Sequence, residues 1–438
     1  MEIKIPYRGT YLEVNVPLPK ENIRVLKSKD PSPTKDVEEI IRIALAKPIG
    51  KNRLSEIVRS GDKVSLMFDD WTRPTPVSKI VPIVLEELKN GGIRDEDIVL
   101  ICGNGMHAPD YMAEERLIQK LGKAVFCKYK VVSHNAYDHE KLKFMGVTKS
   151  LGTPLFINKY VAVSDVKVSI GRIAPHGDVG YSGGSKMIMP GVASIWTIIH
   201  NHSGSFPHSG ILGNSLRKDI DDCGRMASLD FIVNVVYNSD EEVVQAFAGD
   251  PFEAHYKGVE FGDKEVWGSK IADTAEIVIT SPGLKKDGFF LSSMKCLEVA
   301  DRCLKEGGTI IVVASCMGGW SEEVYLESGW RVTKDILEYG YPELLRLLTS
   351  RVWHEPHRQF QALVYYAQHI VKTCIDKHVV LAGSKGFSKE DAQKININFE
   401  ESIDDALRSA IKKYGPRAKM IVVPDSFTLP LKRFYRAK

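Results

Sequence analysis

The chain is poor in cysteine. Seven stand in 438 residues (Cys102, Cys127, Cys223, Cys296, Cys303, Cys316 and Cys374), an odd number with no C-x-x-C pair. That pattern argues against a disulfide framework and against a structural zinc knuckle, so the thiols are expected to be reduced and mostly buried. Long apolar runs are also missing: no segment reaches the roughly 18 residues that a bilayer-spanning helix needs. The opening stretch, MEIKIPYRGTYLEVNVP, alternates like a strand and does not lead from a basic segment into an apolar one, which makes the cytoplasm the expected compartment. Charge of either sign is not in excess, with 59 Lys and Arg against 56 Asp and Glu and a formal net charge of +3. Nucleic acid and membrane surfaces are therefore not expected partners. Internal repeats and low-complexity tracts are lacking too.

What is present is a series of short, continuous apolar runs, each ending in Gly, Pro, Asp or Ser and each followed by helical periodicity. The clearest are KVSLMFDD (63–70), DIVLICGNG (97–105), VKVSIGRIAP (166–175), AEIVITSPG (275–283), GTIIVVASCMGG (308–319), KHVVLAGSKG (377–386) and AKMIVVPDS (418–426). Strands that are apolar on both faces and alternate with helices belong in parallel sheets covered on both sides. Candidate helices are TPVSKIVPIVLEELKNGG, SSMKCLEVADRCLKEGG and DDALRSAIKKYG, the last two ending in the glycine expected of a C-cap. At 438 residues a single core is too small a unit. The expectation is an α/β protein of two α/β domains with mainly parallel sheets: residues 1–270 carrying the motifs below, and a smaller domain, 271–438, closing a cleft over them.

In open α/β sheets ligands sit beyond the carboxyl ends of the strands. Four of the runs deliver titratable groups there: Asp69, Asp70 and Arg73 in DDWTRPTP; His107 in GNGMHAP; His176 before a glycine loop; and Lys285, Lys286 and Lys295 around LKKDGFFLSSMK. Singly, each has an ordinary reading. Asp70 and Arg73 suit a helix cap with a local ion pair, His107 a loop histidine, and Lys295 a solvated helix position. Their convergence on strand ends favours a site.

The stretch HGDVGYSGGSKMIMPG (176–191), followed by HNHS with His200 and His202, is harder to read as scaffold. Glycines let backbone N–H groups approach an anion, but G-x-x-x-x-G-K-[ST] fails because Met187 follows the lysine. A lysine on such a turn serves either as a point charge toward phosphate or, when desolvated, as an amine nucleophile, and the residues leave both open. His200 and His202 share a face only if the backbone is extended. On a helix they diverge, and a metal held by one of them needs its other ligands from elsewhere; neutral imidazole suits nickel, copper and zinc.

Taken together, DDWTRPTP, GNGMHAP, PHGDVGYSGGSKMIMPG and HNHS resemble the motifs of the lactate racemase family, the nickel-pincer-nucleotide-dependent 2-hydroxyacid racemases and epimerases. The resemblance implies an isomerase in which Lys186 carries a covalently attached pyridinium mononucleotide whose two sulfur arms chelate nickel, with His202 as the metal's protein ligand. It implies His107 and His176 as the acid/base pair and Arg73 with Lys295 as the clamp on the substrate carboxylate, Asp70 orienting the site. Tyr181, Gly183 and Gly184 fall in the loop that would line the cofactor. The implied partners are a small 2-hydroxy acid and the enzymes that make the cofactor.

Two departures bear on the substrate. The family's lactate enzyme has Gln one helical turn before the lysine where this chain has Ser292, and in HEPHRQFQALVYY the residue nearest the family's aromatic position is Arg358. A smaller side chain and an extra cation suggest a larger or more polar acid, such as a sugar acid or a hydroxy dicarboxylic acid. Two rival readings use the same residues differently: a metal-dependent hydrolase built on His107, His176, His200 and His202 with Asp178, and a non-catalytic protein binding a phosphorylated ligand at the glycine loop.

Overall fold

The computed structural model describes residues 1–107, 113–177, 179–202, 212–267, 273–284, 286–294, 296–319, 378–394 and 397–426. The chain divides into two compact units, each built on a six-stranded sheet. One unit takes residues 29–205 and 211–266, and the other takes 1–28 and the chain from 267 onward.

In the first unit the chain lays down Val64–Asp69, Ile98–Gly103 and Lys130–Ser133 side by side, then returns to the other flank of Val64–Asp69 with Val166–Arg172, Phe231–Tyr237 and Val243–Gly249. All neighbours run parallel except the last pair, which is antiparallel. The continuous apolar runs are explained by burial on both faces. Leu66, Phe68, Leu100, Val168, Ile170, Val233 and Val235 pack with helices Val37–Ala46 and Val77–Asn90, while Met67, Ile101 and Ile232 face Ile195, Ile198, Leu216 and Ile220 from the opposite side. Each such side chain contributes about 1.5–3 kcal/mol by leaving water. The order of laying-down reverses between Val64–Asp69 and Val166–Arg172, and a crevice at the carboxyl ends flanking such a reversal is where α/β sheets place ligands.

The second unit has Asn398–Glu400, His378–Ala382, Leu304–Val313, Ala275–Thr280, Met420–Val423 and Ile23–Val25, all parallel. Val278, Ile310 and Val312 face helices Phe290–Met294 and Leu297–Cys303; Ile277, Ile279, Ile311 and Val313 face helix Ile403–Tyr414 and the Glu2–Tyr7/Thr10–Asn15 hairpin. The expected α/β class with mainly parallel sheets is what the structure has. Its units are discontinuous in sequence, however: Ile23–Val25 pairs with Met420–Val423, so the first 28 residues join the second unit, where the sequence pattern suggests a single cut near residue 270.

The helix expected over SSMKCLEVADRCLKEGG stops at Cys303. Leu304 already pairs with Ala275, Lys305 meets Glu276 in an ion pair, and Gly307 takes a left-handed conformation (φ +72°) where the register slips before Thr309. Strand pairing to a buried neighbour outweighs helix propensity there. Six cysteines are free thiols, five buried and Cys127 exposed, Cys374 lying outside the described residues. Among the described residues no helix is long and apolar enough to cross a membrane.

Candidate active site

The strand Val64–Asp69 ends in two adjacent carboxylates whose side chains part company. Asp69 turns to Thr75, whose hydroxyl it accepts, and to the buried Lys120, whose ammonium lies 3.2 Å away and also donates to the Arg73 carbonyl at 2.6 Å. Asp70 closes an Asx turn, accepting from Thr72 N at 3.1 Å and from the Thr72 hydroxyl at 2.5 Å, and takes the Nδ1–H of His107 on its other oxygen. Arg73 in turn donates to the Thr72 hydroxyl at 2.9 Å. Burial opposes ionisation of Asp70, but the charge and hydrogen bond of His107, together with Arg73 and Thr72, outweigh it and hold the carboxyl well below the usual carboxylate range. A carboxylate that receives Nδ1–H fixes the histidine's tautomer and leaves Nε2 as the proton-accepting atom. His107 is itself buried, on the loop after Ile98–Gly103, its backbone N–H donating to Asn104. Asn104 is fixed by amide hydrogen bonds to Ser133 and His134, both at 2.8 Å.

The glycine loop follows Val166–Arg172. Pro175–His176 and Gly180–Tyr181 pair as a small antiparallel hairpin, His176 opposite Gly180 and Pro175 opposite Tyr181, and the chain then enters a one-turn helix, Gly184–Met187, that carries Lys186 half-buried. Gly183 and Gly184 are required by the scaffold: both have positive φ (+83° and +60°), and a Cβ at Gly183 would lie 2.8 Å from the Arg172 carbonyl, one at Gly184 2.6 Å from the Arg217 guanidinium. Asn234 accepts the Gly184 N–H at 2.8 Å, Arg217 donates to the carbonyls of Tyr181 and Gly183, and His255 donates to that of Ser182 at 2.8 Å. Burial, then the neighbouring Arg217 charge, push His255 far below the usual histidine range, so it stays neutral and donates through one nitrogen only. Tyr181 is fully buried with its hydroxyl given to Asp263 at 2.6 Å, which makes it an anchor of the hairpin. The lysine turn also docks on the His107 loop, through Gly105 N–H to the Gly191 carbonyl at 2.9 Å.

His200 and His202 lie on helix Ile195–His202 and therefore diverge. His200 faces Thr153, whose hydroxyl proton goes to Asp219, so the imidazole Nδ1–H is the donor at 3.1 Å. His202 donates Nδ1–H to the Ile198 carbonyl at 3.0 Å, which in the neutral ring puts the coordinating lone pair on Nε2. The helix is tied down by Asn201, which donates to Asp219 at 2.8 Å. No group of three or more His, Cys, Asp or Glu side chains fit to hold a metal occurs among the described residues.

One unit thus pairs Asp70 with His107, sets Arg73 beside Asp70 through the backbone and Thr72, and ties the Lys186 turn to the His107 loop. Ser292 belongs to the other unit, on helix Phe290–Met294; Lys285, Lys295, Arg358 and Asp178 lie outside the described residues. Sequence reasoning missed Lys120, Arg172, Arg217, Asn234 and His255. None sits in a recognisable motif, and only alternation on a buried strand hinted at Asn234, a polar residue within FIVNVVY.

Comparison with known proteins bears on the same residues. The lactate racemase N-terminal domain model matches residues 9–211 and the C-terminal domain model residues 271–429. The lactate racemase of Lactiplantibacillus plantarum is 30% identical over 403 residues, covering 90% of this chain and 91% of its own. That of Thermoanaerobacterium thermosaccharolyticum is 33% identical over 445 residues, 98% of each chain. The lactate racemase apoprotein structure from the latter organism superposes with a TM-score of 0.85 at 29% identity, covering 99% of this chain and all of that one. A crystal structure of a Thermotoga maritima protein, 19% identical with a TM-score of 0.60, shares the fold. With both domain models matched in order along one chain, this protein belongs to the lactate racemase family.

Proposed function

We propose that this protein inverts C2 of a 2-hydroxy acid, using a nickel-pincer nucleotide held by Lys186 and His202. Membership of the family makes it an isomerase; the cofactor and the substrate are the proposal. The observation that carries it is the Asp70–His107 pair beside Arg73, an oriented base next to a cation at a sheet reversal, with a lysine turn docked against the same loop.

The residues fit the cofactor. His202 has its Nδ1–H committed to Ile198, which would make Nε2 its metal-binding atom. Lys186 stands half-buried just after a backbone turn that is pinned from three sides, which fixes where its side chain starts. When bound, the group supplies a hydride acceptor for C2. The chain's own residues do the rest. Arg73 holds the substrate carboxylate, and such orientation is worth about 7 kcal/mol or more of barrier. His107 Nε2 takes or returns the C2 hydroxyl proton on one face, with Asp70 stabilising the imidazolium that results, and His176 does so on the other; inversion needs a proton carrier on each side. Ser292 and Arg358 favour a sugar acid or hydroxy dicarboxylic acid over lactate.

The test is to offer cofactor-loaded protein single enantiomers of lactate, malate and gluconate carrying deuterium at C2, and to follow chirality and label together. Racemisation with label retained is expected, with malate or gluconate turned over faster than lactate. Inversion with washout of deuterium into water would replace hydride return by C2 deprotonation, and preference for lactate would remove the larger-substrate reading.

A further inference from the structure

Arg172 is the last residue of the central strand Val166–Arg172, on the flank of the sheet reversal facing Val64–Asp69 and opposite Val235 in the parallel register. Its Nε is buried without a hydrogen-bond partner, and no ion pair or hydrogen bond of its guanidinium exists among the described residues. The two carboxylates at the end of Val64–Asp69 are already engaged: Asp69 by Lys120 and Thr75, Asp70 by His107 and Thr72. The side chains of Arg73, Lys120 and Arg172 thus meet at strand ends whose two carboxylates, Asp69 and Asp70, are already taken. Burial and then the positive charge of Arg73 disfavour protonated Arg172, while Tyr237, Asp69 and Glu241 favour it more weakly. A guanidinium cannot shed its proton in a protein, and a buried charge left unpaired is costly. The residue as a whole is only half-buried, so a ligand can reach the guanidinium edge.

We infer that Arg172 forms an oxyanion subsite at the sheet reversal, separate from the Arg73 clamp, that binds a second anionic group by a bidentate guanidinium contact. Two sources share this chemistry: the distal carboxylate of a dicarboxylic 2-hydroxy acid, and the phosphate of the bound mononucleotide. The inference deepens the racemase reading, but anion binding by the ligand-free chain does not depend on it.

The experiment titrates the full ligand-free chain with lactate, malate and inorganic phosphate at constant ionic strength, by calorimetry and thermal shift, for the wild type, Arg172→Gln and Arg172→Lys. The wild type should be stabilised by malate or phosphate beyond the same ionic strength of chloride. Arg172→Gln should lose that affinity tenfold or more, with lactate binding unchanged and the ligand-free melting temperature unchanged or higher. Arg172→Lys should fall between. Loss confined to malate assigns the subsite to the substrate, and loss confined to phosphate assigns it to the cofactor. A wild type indifferent to both anions overturns the inference without touching the racemase reading, as does an Arg172→Gln protein that binds both as tightly as wild type. An Arg172→Gln chain that melts far lower without ligand also overturns it, since the guanidinium would then be scaffold. If malate and phosphate bind as inferred while no cofactor attaches and no inversion occurs, the racemase reading fails and the subsite stands.

Discussion

Asp70→Asn removes one charge from the centre of the site and little volume. In the structure the carboxylate accepts from His107 Nδ1, from Thr72 N and from the Thr72 hydroxyl. Asparagine keeps one acceptor oxygen, which can stay with Thr72, and turns an amide N–H toward His107, which favours the tautomer with the proton on Nε2. Losing a charge-assisted hydrogen bond is worth about 1.5–3 kcal/mol, and if 2–3 kcal/mol of it is felt in the transition state, kcat/KM falls about 30- to 150-fold. The same substitution has a signature in stability. Asp70 is 2% exposed and its folded pKa lies below its unfolded value, so its contribution is fully present above about pH 4 and is lost as pH falls through the folded value. Urea melts of wild type and Asp70→Asn should therefore differ most near pH 7 and converge as pH drops below 4. Activity within twofold of wild type, or a stability gap that stays constant through this pH range, would refute the assignment of Asp70 as the residue that positions His107.

Gly183→Ala should cost about 2–4 kcal/mol in urea unfolding, the sum of a left-handed non-glycine residue and a Cβ 2.8 Å from the Arg172 carbonyl, which cannot move aside; a loss under 0.5 kcal/mol would mean the turn is loosely held. His134, fully buried with Nε2–H donated to the Ala193 carbonyl at 2.9 Å, is pushed down by burial to about 4. Its neutral form stabilises the fold fully above about pH 6.5, and roughly 3 kcal/mol of that is lost between there and pH 4 as the unfolded chain takes up the proton first. His134→Gln should flatten the acid limb of the stability profile over that window, and an unchanged slope would count against the buried, neutral ring.

The parallel sheets were legible because both faces of each strand are buried, so runs such as KVSLMF and VKVSIG carry no polar alternation. The site's first contacts were legible in part for a chemical reason: Asp70, Arg73, His107 and Lys186 sit where strands end, and strand ends can be read from apolar runs. What supports them was not. Arg217 and His255 reach the glycine turn from helices Ser215–Met226 and Glu253–Phe261, far along the chain, and nothing local marks a helical arginine as one that will donate to a distant carbonyl. Positive φ and the nearness of Arg217 and the Arg172 carbonyl make both glycines of YSGGSK scaffold requirements, which residue types alone do not tell apart from a loop that lines a cofactor. The return of Ile23–Val25 to the far sheet is a pairing over almost 400 residues, beyond any local pattern.

Covalent attachment at Lys186 is decided by the mass of the peptide containing it, measured on protein made together with the enzymes of cofactor synthesis, alongside a racemisation assay of wild type and Lys186→Ala. An added mononucleotide is expected on that peptide in the wild type, with loss of both adduct and activity in Lys186→Ala. A Lys186→Ala protein that still interconverts the enantiomers at the wild-type rate would rule out catalysis through a group bound at Lys186.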